Sequence, residues 1–145
     1  MGTLLLAANL HDCGIMELER ILDRCHALEQ RAAAAYRSFA AAARGTPEVC
    51  ALWTRLAREE EEHARSIATI RTDIRLGGGS RATVHGWEEA LTEIEARLAV
   101  AERLGAGATT PQQLAAALDI EMTELDALRH ALLYTAHAPE PEDQD

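Results

Sequence analysis

The sequence lacks the cysteine patterns and catalytic motifs by which many proteins are classified. Its three cysteines, Cys13, Cys25 and Cys50, are widely spaced and include no C-x-x-C pair. The chain also contains no nucleotide-binding motif and no G-x-S-x-G sequence. Isolated cysteines in odd number argue against a disulfide framework and against zinc or iron held by cysteine. This usage fits a protein of the reducing cytoplasm.

Long hydrophobic runs, aromatic side chains and positive charge are equally scarce. The apolar stretch at residues 3–10 is too short to span a membrane, and no basic region of the signal-peptide type accompanies it. Aromatic residues make up 3% of the chain, so alanine and leucine supply most of the 48% that is hydrophobic, which favours helix over sheet. The net charge of −10 argues against nucleic acid and anionic membranes as partners and favours cations.

Glycine- and proline-containing turns divide the chain into segments with helical periodicity. Thr46-Pro47 and Thr110-Pro111 each place a capping residue before a proline, a pattern typical of a helix start. Four helices are predicted, at about residues 14–44, 46–75, 87–104 and 110–134.

The short connections between these segments predict antiparallel neighbours. A length of 145 residues suits one domain with a real core. We therefore expect an all-α, antiparallel four-helix bundle over residues 1–138. The acidic stretch 139–145 contains two of the four prolines and is predicted to be a disordered tail.

Carboxylates interrupt three of the four apolar stripes, which are traced at alternating steps of three and four residues. Glu29 lies near the middle of the first stripe, Glu60 and His63 near the middle of the second, and Glu121 on the fourth. The third stripe is entirely apolar and consists of Trp87, Leu91, Ile94, Leu98 and Ala101. The fourth stripe consists of Leu114, Leu118, Glu121, Leu125, Leu128 and Leu132.

A metal ion would explain why these acidic residues sit on apolar stripes. An ionised carboxylate in an apolar interior is costly unless it is paired or metal-bound, and no lysine or arginine lies on any stripe. Glu60 and His63, three residues apart, share one helix face and can reach the same ion. Oxygen ligands with one imidazole suit iron or manganese, with zinc as a further option. The predicted metal ligands are Glu29, Glu60, His63 and Glu121.

Alternative interpretations stay open for individual residues. A single glutamate on an apolar stripe usually reaches solvent, so the prediction depends on the convergence of several residues at one level. Glu95 and Glu124 are further ligand candidates or surface residues. His26 is a second imidazole or a surface residue. Tyr36 either hydrogen-bonds a ligand carboxylate or fills the core.

Two segments resemble the rubrerythrin branch of the ferritin-like superfamily. Residues 28–36 (LEQRAAAAY) resemble its first ligand helix, in which a glutamate precedes a tyrosine by seven positions, and residues 56–64 (LAREEEEHA) resemble its Glu-x-x-His helix. Residues 117–125 look like a ligand-bearing helix of related proteins. The resemblance implies a ferritin-like fold, bound iron, and oxidation of Fe(II) or reduction of peroxide, with oxygen or peroxide as the reacting partner.

The second half of the chain departs from that family pattern. A full di-iron site uses one glutamate from each of two helices and a Glu-x-x-His from each of the other two. Here the second Glu-x-x-His and a rubredoxin-like, cysteine-ligated iron domain are missing. Mononuclear and dinuclear iron are both compatible with the sequence, and enzymatic activity stays open. The alternative is a non-enzymatic interaction module with a vestigial or structural metal site. A homodimer is expected, and could lend a missing ligand across its interface.

Overall fold

Four α-helices make up most of the chain in the computed structural model, which describes residues 2–76 and 87–123, with side chains from residue 16 onward. The helices are α1 (Gly2–Ala42), α2 (Pro47–Arg75), α3 (Trp87–Leu104) and α4 (Thr110–Glu121), with a 3-10 turn at Gly105–Gly107. The described ranges contain no strand, which confirms the predicted all-α bundle. The predicted tail at residues 139–145 and the rest of the predicted fourth helix lie outside the described residues.

The helix boundaries follow the predicted capping chemistry with two differences. Helix α1 begins at Gly2, well before the predicted start near residue 14. Helix α2 begins at Pro47, with Thr46 as its N-cap in an extended conformation. Thr109, not Thr110, caps α4, because its backbone N–H donates to the Gln112 side chain at 2.9 Å. This capping box shifts the start of α4 by one residue. None of the described helices is long and apolar enough to cross a membrane.

Cross-helix ion pairs show how α1, α2 and α3 are oriented. Pairs between α1 and α2 join early residues of one helix to late residues of the other, so the two helices are antiparallel: Glu19–Arg75, Asp23–Arg71 and Arg37–Glu61. Between α1 and α3 the order is parallel, since Arg24 binds Glu88 and Glu95, and Arg31 binds Glu102 through two 2.8 Å hydrogen bonds. Exposed pairs of this kind contribute little stability individually, but they define how α3 is rotated against α1.

The core lies between α1 and α2 and is covered by α3. The stripes predicted for these helices face inward. The stripes of α1 and α2 include most of the largest buried side chains of these helices. The middle residues of the α3 stripe are all buried. The fully buried large residues are Leu18, Ile21, Leu22, Leu28, Tyr36, Phe39, Trp53, Ile67, Ile70, Leu91 and Leu98.

The predicted stripe of α4 is wrong. Leu114 and Leu118 are 38% and 60% exposed, and Glu121 is exposed as well. The buried side of the helix carries Gln113, Ala116, Ala117 and Ile120. The helix is therefore rotated by about one residue position relative to the prediction.

A buried glutamine explains this rotation. Gln113 is 2% exposed, and its Nε2 donates to the carbonyl oxygens of Gly105 and Ala108 at 3.3 and 3.4 Å. Gly105 has a φ of +51°, a conformation that glycine adopts without steric cost. The tight turn and its bonds to Gln113 turn that side chain inward. Residues three, four and seven positions later share its face, so the alanines and Ile120 are buried instead of the leucines.

Alanine substitutions at neighbouring positions test the rotation of α4. Ile120→Ala should lower the free energy of unfolding by about 2–4 kcal/mol, because it leaves a cavity in the core. Leu118→Ala should cost less than about 1 kcal/mol, because most of this side chain is already in water. Urea unfolding of the two variants measures the difference. Equal losses, or a larger loss for Leu118→Ala, would support the stripe predicted from the sequence.

Candidate metal centre

Glu29 of α1 meets Glu60 and His63 of α2 inside the bundle. Each of the three residues offers one ligand atom, and these atoms lie within 4.8 Å of one another. Glu29 and Glu60 are only 1% and 5% exposed. The antiparallel pairing of α1 and α2 brings Glu29 to the level of Glu60 and His63, which lie near the middle of α2. Three of the four predicted ligands are therefore adjacent.

The His63–Glu60 separation suits two ligands of one metal ion, and the His63–Glu29 separation is slightly longer. His63 Nδ1 lies 3.2 Å from Glu60 Oε2 and 3.7 Å from Glu29 Oε2. Nitrogen and oxygen ligands that sit about 2.0–2.2 Å from an ion lie roughly 3–3.6 Å from each other. The donor set of two carboxylates and one imidazole is compatible with iron, manganese or zinc.

Nearby positive charge is directed to the outside of the bundle. Arg24, Arg31 and Arg37 of α1 bind carboxylates of α3 and α2 on the surface. Within the acidic run of α2, Glu59 pairs with Arg55 and Glu62 with Arg65, both at solvent-exposed sites. The run is therefore a solvated face from which only Glu60 turns into the core.

Tyr36 links the fourth predicted ligand to this cluster. Its ring is fully buried, and its hydroxyl donates to Glu121 Oε1 at 2.7 Å. Burial raises the pKa of Tyr36 well above its usual range, and the nearby carboxylates of Glu121, Glu60 and Glu29 raise the pKa further. Tyr36 thus fills the core and also hydrogen-bonds Glu121, whose role as a metal ligand stays a prediction. Glu121 itself is exposed and is not a member of the three-residue cluster.

The remaining candidates lie elsewhere. The carboxylate of Glu95 is bound by Arg24 at 3.0 Å on the outer edge of the α1–α3 contact. His26 is half-buried and lines a surface groove between α1 and α2. It is not part of the three-residue cluster. Glu124 lies outside the described residues.

Three aromatic rings pack together about two helical turns from the cluster, toward the α1–α2 connection. Tyr36 and Trp53 stack with ring centroids 5.9 Å apart and an angle of 21° between the rings. Phe39 meets Trp53 edge-on at 5.2 Å. The apolar stripes do not predict this contact, although the residue spacing is consistent with it. Tyr36 follows Glu29 by seven residues and Trp53 precedes Glu60 by seven, so antiparallel helices bring the two rings to one level.

Comparison with known proteins agrees with this geometry. The sequence model of the rubrerythrin family matches residues 20–142, which is most of the chain. The chain belongs to the rubrerythrin family. Its four-helix bundle is therefore of the ferritin-like type, as predicted. No curated protein and no solved structure matches the chain significantly.

The rubrerythrin match includes both halves of the chain, whereas the three converging residues Glu29, Glu60 and His63 belong to the first half. The buried residues of α3 are Leu91, Ile94, Leu98 and Ala101. Helix α3 thus directs no carboxylate into the core, as its apolar stripe predicted. Among the described residues, the converging carboxylates and imidazole come from α1 and α2.

Cys25 lies one turn before Glu29 and is 1% exposed. Burial raises the pKa of the Cys25 thiol to about 12, and the Glu29 carboxylate adds to the increase. The thiolate is the reactive form of cysteine, so the folded protein should keep this thiol inert. Cys50 is half-buried.

The two thiols should differ in reactivity with a disulfide reagent near pH 8. In a Cys13→Ser background, Cys50 should react in the folded protein and Cys25 only after unfolding. The raised pKa also affects stability, because the folded state favours the protonated thiol of Cys25. Its contribution to the free energy of unfolding is full below the ordinary pKa of 9.0 and is lost as pH rises toward about 12. Counting the thiols that react with and without urea checks this difference in reactivity, with Cys25→Ser as the control. Rapid labelling of Cys25 in folded protein would contradict its burial beside Glu29.

Proposed function

We propose that this rubrerythrin-family protein binds iron and oxidises Fe(II) or reduces peroxide at the bound metal. The observation that carries the proposal is the convergence of two buried carboxylates and one imidazole within 4.8 Å. We propose Glu29, Glu60 and His63 as the primary ligands and Glu121 as an additional one. Manganese and zinc are alternative ions for the same donors.

Burial supplies the driving force for binding a cation. Two carboxylates held side by side in an apolar interior repel each other and lose their hydration. An ion between them offsets both costs. Bound iron would supply the electrons that reduce oxygen or peroxide.

The residues of the chain have separate roles in this proposal. Glu29 and Glu60 neutralise the charge of the ion and hold it between α1 and α2. His63 presents Nδ1 to both carboxylates and must give up any proton on that atom before it can bind a metal. Its side chain is 26% exposed, so the imidazole side is where a small oxidant can approach.

Glu121 provides a ligand from the opposite side of the bundle. Its Oε1 accepts the hydrogen bond of the Tyr36 hydroxyl, and the charges of Glu29 and Glu60 act on the same hydroxyl. As an additional ligand, Glu121 would allow a second ion to bind. A homodimer and a cytoplasmic location stay predictions, as does a ligand lent by a second copy of the chain.

Iron content after anaerobic Fe(II) loading and desalting tests the proposal. The wild-type chain should retain iron and develop an absorption in the near ultraviolet when oxygen or peroxide is added. The double variant Glu60→Ala/His63→Ala should lose both properties, because it removes two of the three converging ligands. Glu59→Ala/Glu62→Ala is the matched control, since it removes two carboxylates of the same acidic run that face solvent.

The stoichiometry distinguishes the forms of the site. About two irons per chain would indicate a dinuclear centre of the family type. About one, or half of one, would indicate a mononuclear or dimer-shared centre. Equal iron in the wild type and in Glu60→Ala/His63→Ala would refute the site. The chain would then be a non-enzymatic helical module with an acidic core.

A further inference from the structure

A surface groove between α1 and α2, here called the α1–α2 groove, carries positive charge in an otherwise acidic protein. Its volume of about 410 Å³ lies within the range of roughly 300–1,000 Å³ that is typical of small-molecule sites. Its charged lining residues are two arginines, Arg37 and Arg65, and one glutamate, Glu61. The whole chain has 24 acidic residues against 14 lysines and arginines. The groove therefore reverses the charge of the molecule locally.

Alanines form the floor of the α1–α2 groove. Ala33 of α1 and Ala64 of α2 are 1% and 5% exposed, and Ala68 is half-buried one turn beyond Ala64. Their methyl groups leave open the space between the helices that longer apolar side chains would fill. A flat apolar group can therefore lie on this floor in van der Waals contact with the methyls.

Both arginines of the groove keep hydrogen-bond donors for a ligand. Arg37 contacts Glu61 through Nη2, and a guanidinium group has five N–H donors on three nitrogens. Arg65 lies 3.8 Å from Glu62, which is longer than a hydrogen bond, and its side chain is 68% exposed. Glu61 precedes Arg65 by four residues on the same helix face. The Arg37 guanidinium that Glu61 binds is thus about one helical turn from Arg65.

We propose that the α1–α2 groove binds a small organic anion, with a carboxylate or phosphate group on Arg37 and Arg65 and an apolar part on the alanines. Guanidinium groups bind both kinds of oxyanion through paired, charge-assisted hydrogen bonds. Gln30 lines the same groove and adds amide donors from α1. Glu61 holds the Arg37 side chain over the groove.

The α1–α2 groove is separate from the metal cluster. Gln30 and Glu61 directly follow Glu29 and Glu60 in the sequence, but they line the outer side of the helix pair, whereas the two glutamates face the core. Anion binding in the groove therefore does not depend on the proposed iron chemistry.

Isothermal titration calorimetry of metal-free protein at fixed ionic strength tests the groove. Phenyl phosphate and benzoate are the probes, because each joins one of the two oxyanions to a flat apolar ring. At least one probe should bind saturably and more tightly than its counterpart without the ring, which is inorganic phosphate or acetate. The tighter probe identifies the oxyanion that the groove prefers.

Variants of the groove locate the bound anion. Arg65→Gln should weaken binding about tenfold or more, because it removes charge-assisted hydrogen bonds. Arg55→Gln is the matched control, since Arg55 is also 68% exposed and lies 3.7 Å from Glu59 of its own helix, but it does not line the groove. Its affinity should match that of the wild type. Ala68→Leu should weaken binding of the probe by a similar factor, because leucine fills the floor.

Circular dichroism and thermal unfolding of each variant establish that lost binding is not lost folding. A protein that binds neither probe, or binds them no more tightly than the anions without a ring, would overturn the proposal. Equal weakening in Arg55→Gln and Arg65→Gln would also overturn it, because the anion would then respond only to net charge. So would unchanged binding in Ala68→Leu. Iron content, measured on separate samples after Fe(II) loading, shows independently whether the metal site is intact.

Discussion

Two carboxylates buried side by side between α1 and α2 are the constraint on which the rest of the site depends. Glu29 and Glu60 are buried in the core, where an isolated charge would be very costly. His63 Nδ1 lies within 3.7 Å of both carboxylates, and their charges act on the Tyr36 hydroxyl. Arg24, Arg31 and Arg37 of α1 bind surface carboxylates instead.

Helix α3 contributes apolar packing to the core beside the cluster. Arg24 and Arg31 bind the acidic residues of α3 at its outer edge, and the opposite face of that helix is apolar. Its buried side chains therefore cover the core and exclude water. In this member of the rubrerythrin family, the converging polar residues of the described part of the chain lie on α1 and α2.

The Tyr36–Glu121 hydrogen bond connects α4 to the packed aromatic rings. It joins α1 to the end of α4 and is made by a ring that stacks on Trp53. The charges of Glu29 and Glu60 act on the same Tyr36 hydroxyl. The polar part of the core therefore continues two helical turns from the cluster toward the α1–α2 connection.

Turn residues and helical periodicity in the sequence determined the four helices, the inward positions of Glu29, Glu60 and His63, and the match of spacing to a known family. These features depend on local sequence and on the 3.6-residue repeat of a helix. The rotation of α4 was decided by tertiary structure, because it follows from hydrogen bonds between Gln113 and a glycine turn. The stacking of Trp53 on Tyr36 and the pairing of Glu95 with Arg24 were decided in the same way. Each contact joins residues of two different helices. The apolar stripe of one helix does not indicate how that helix is shifted or rotated against its neighbour.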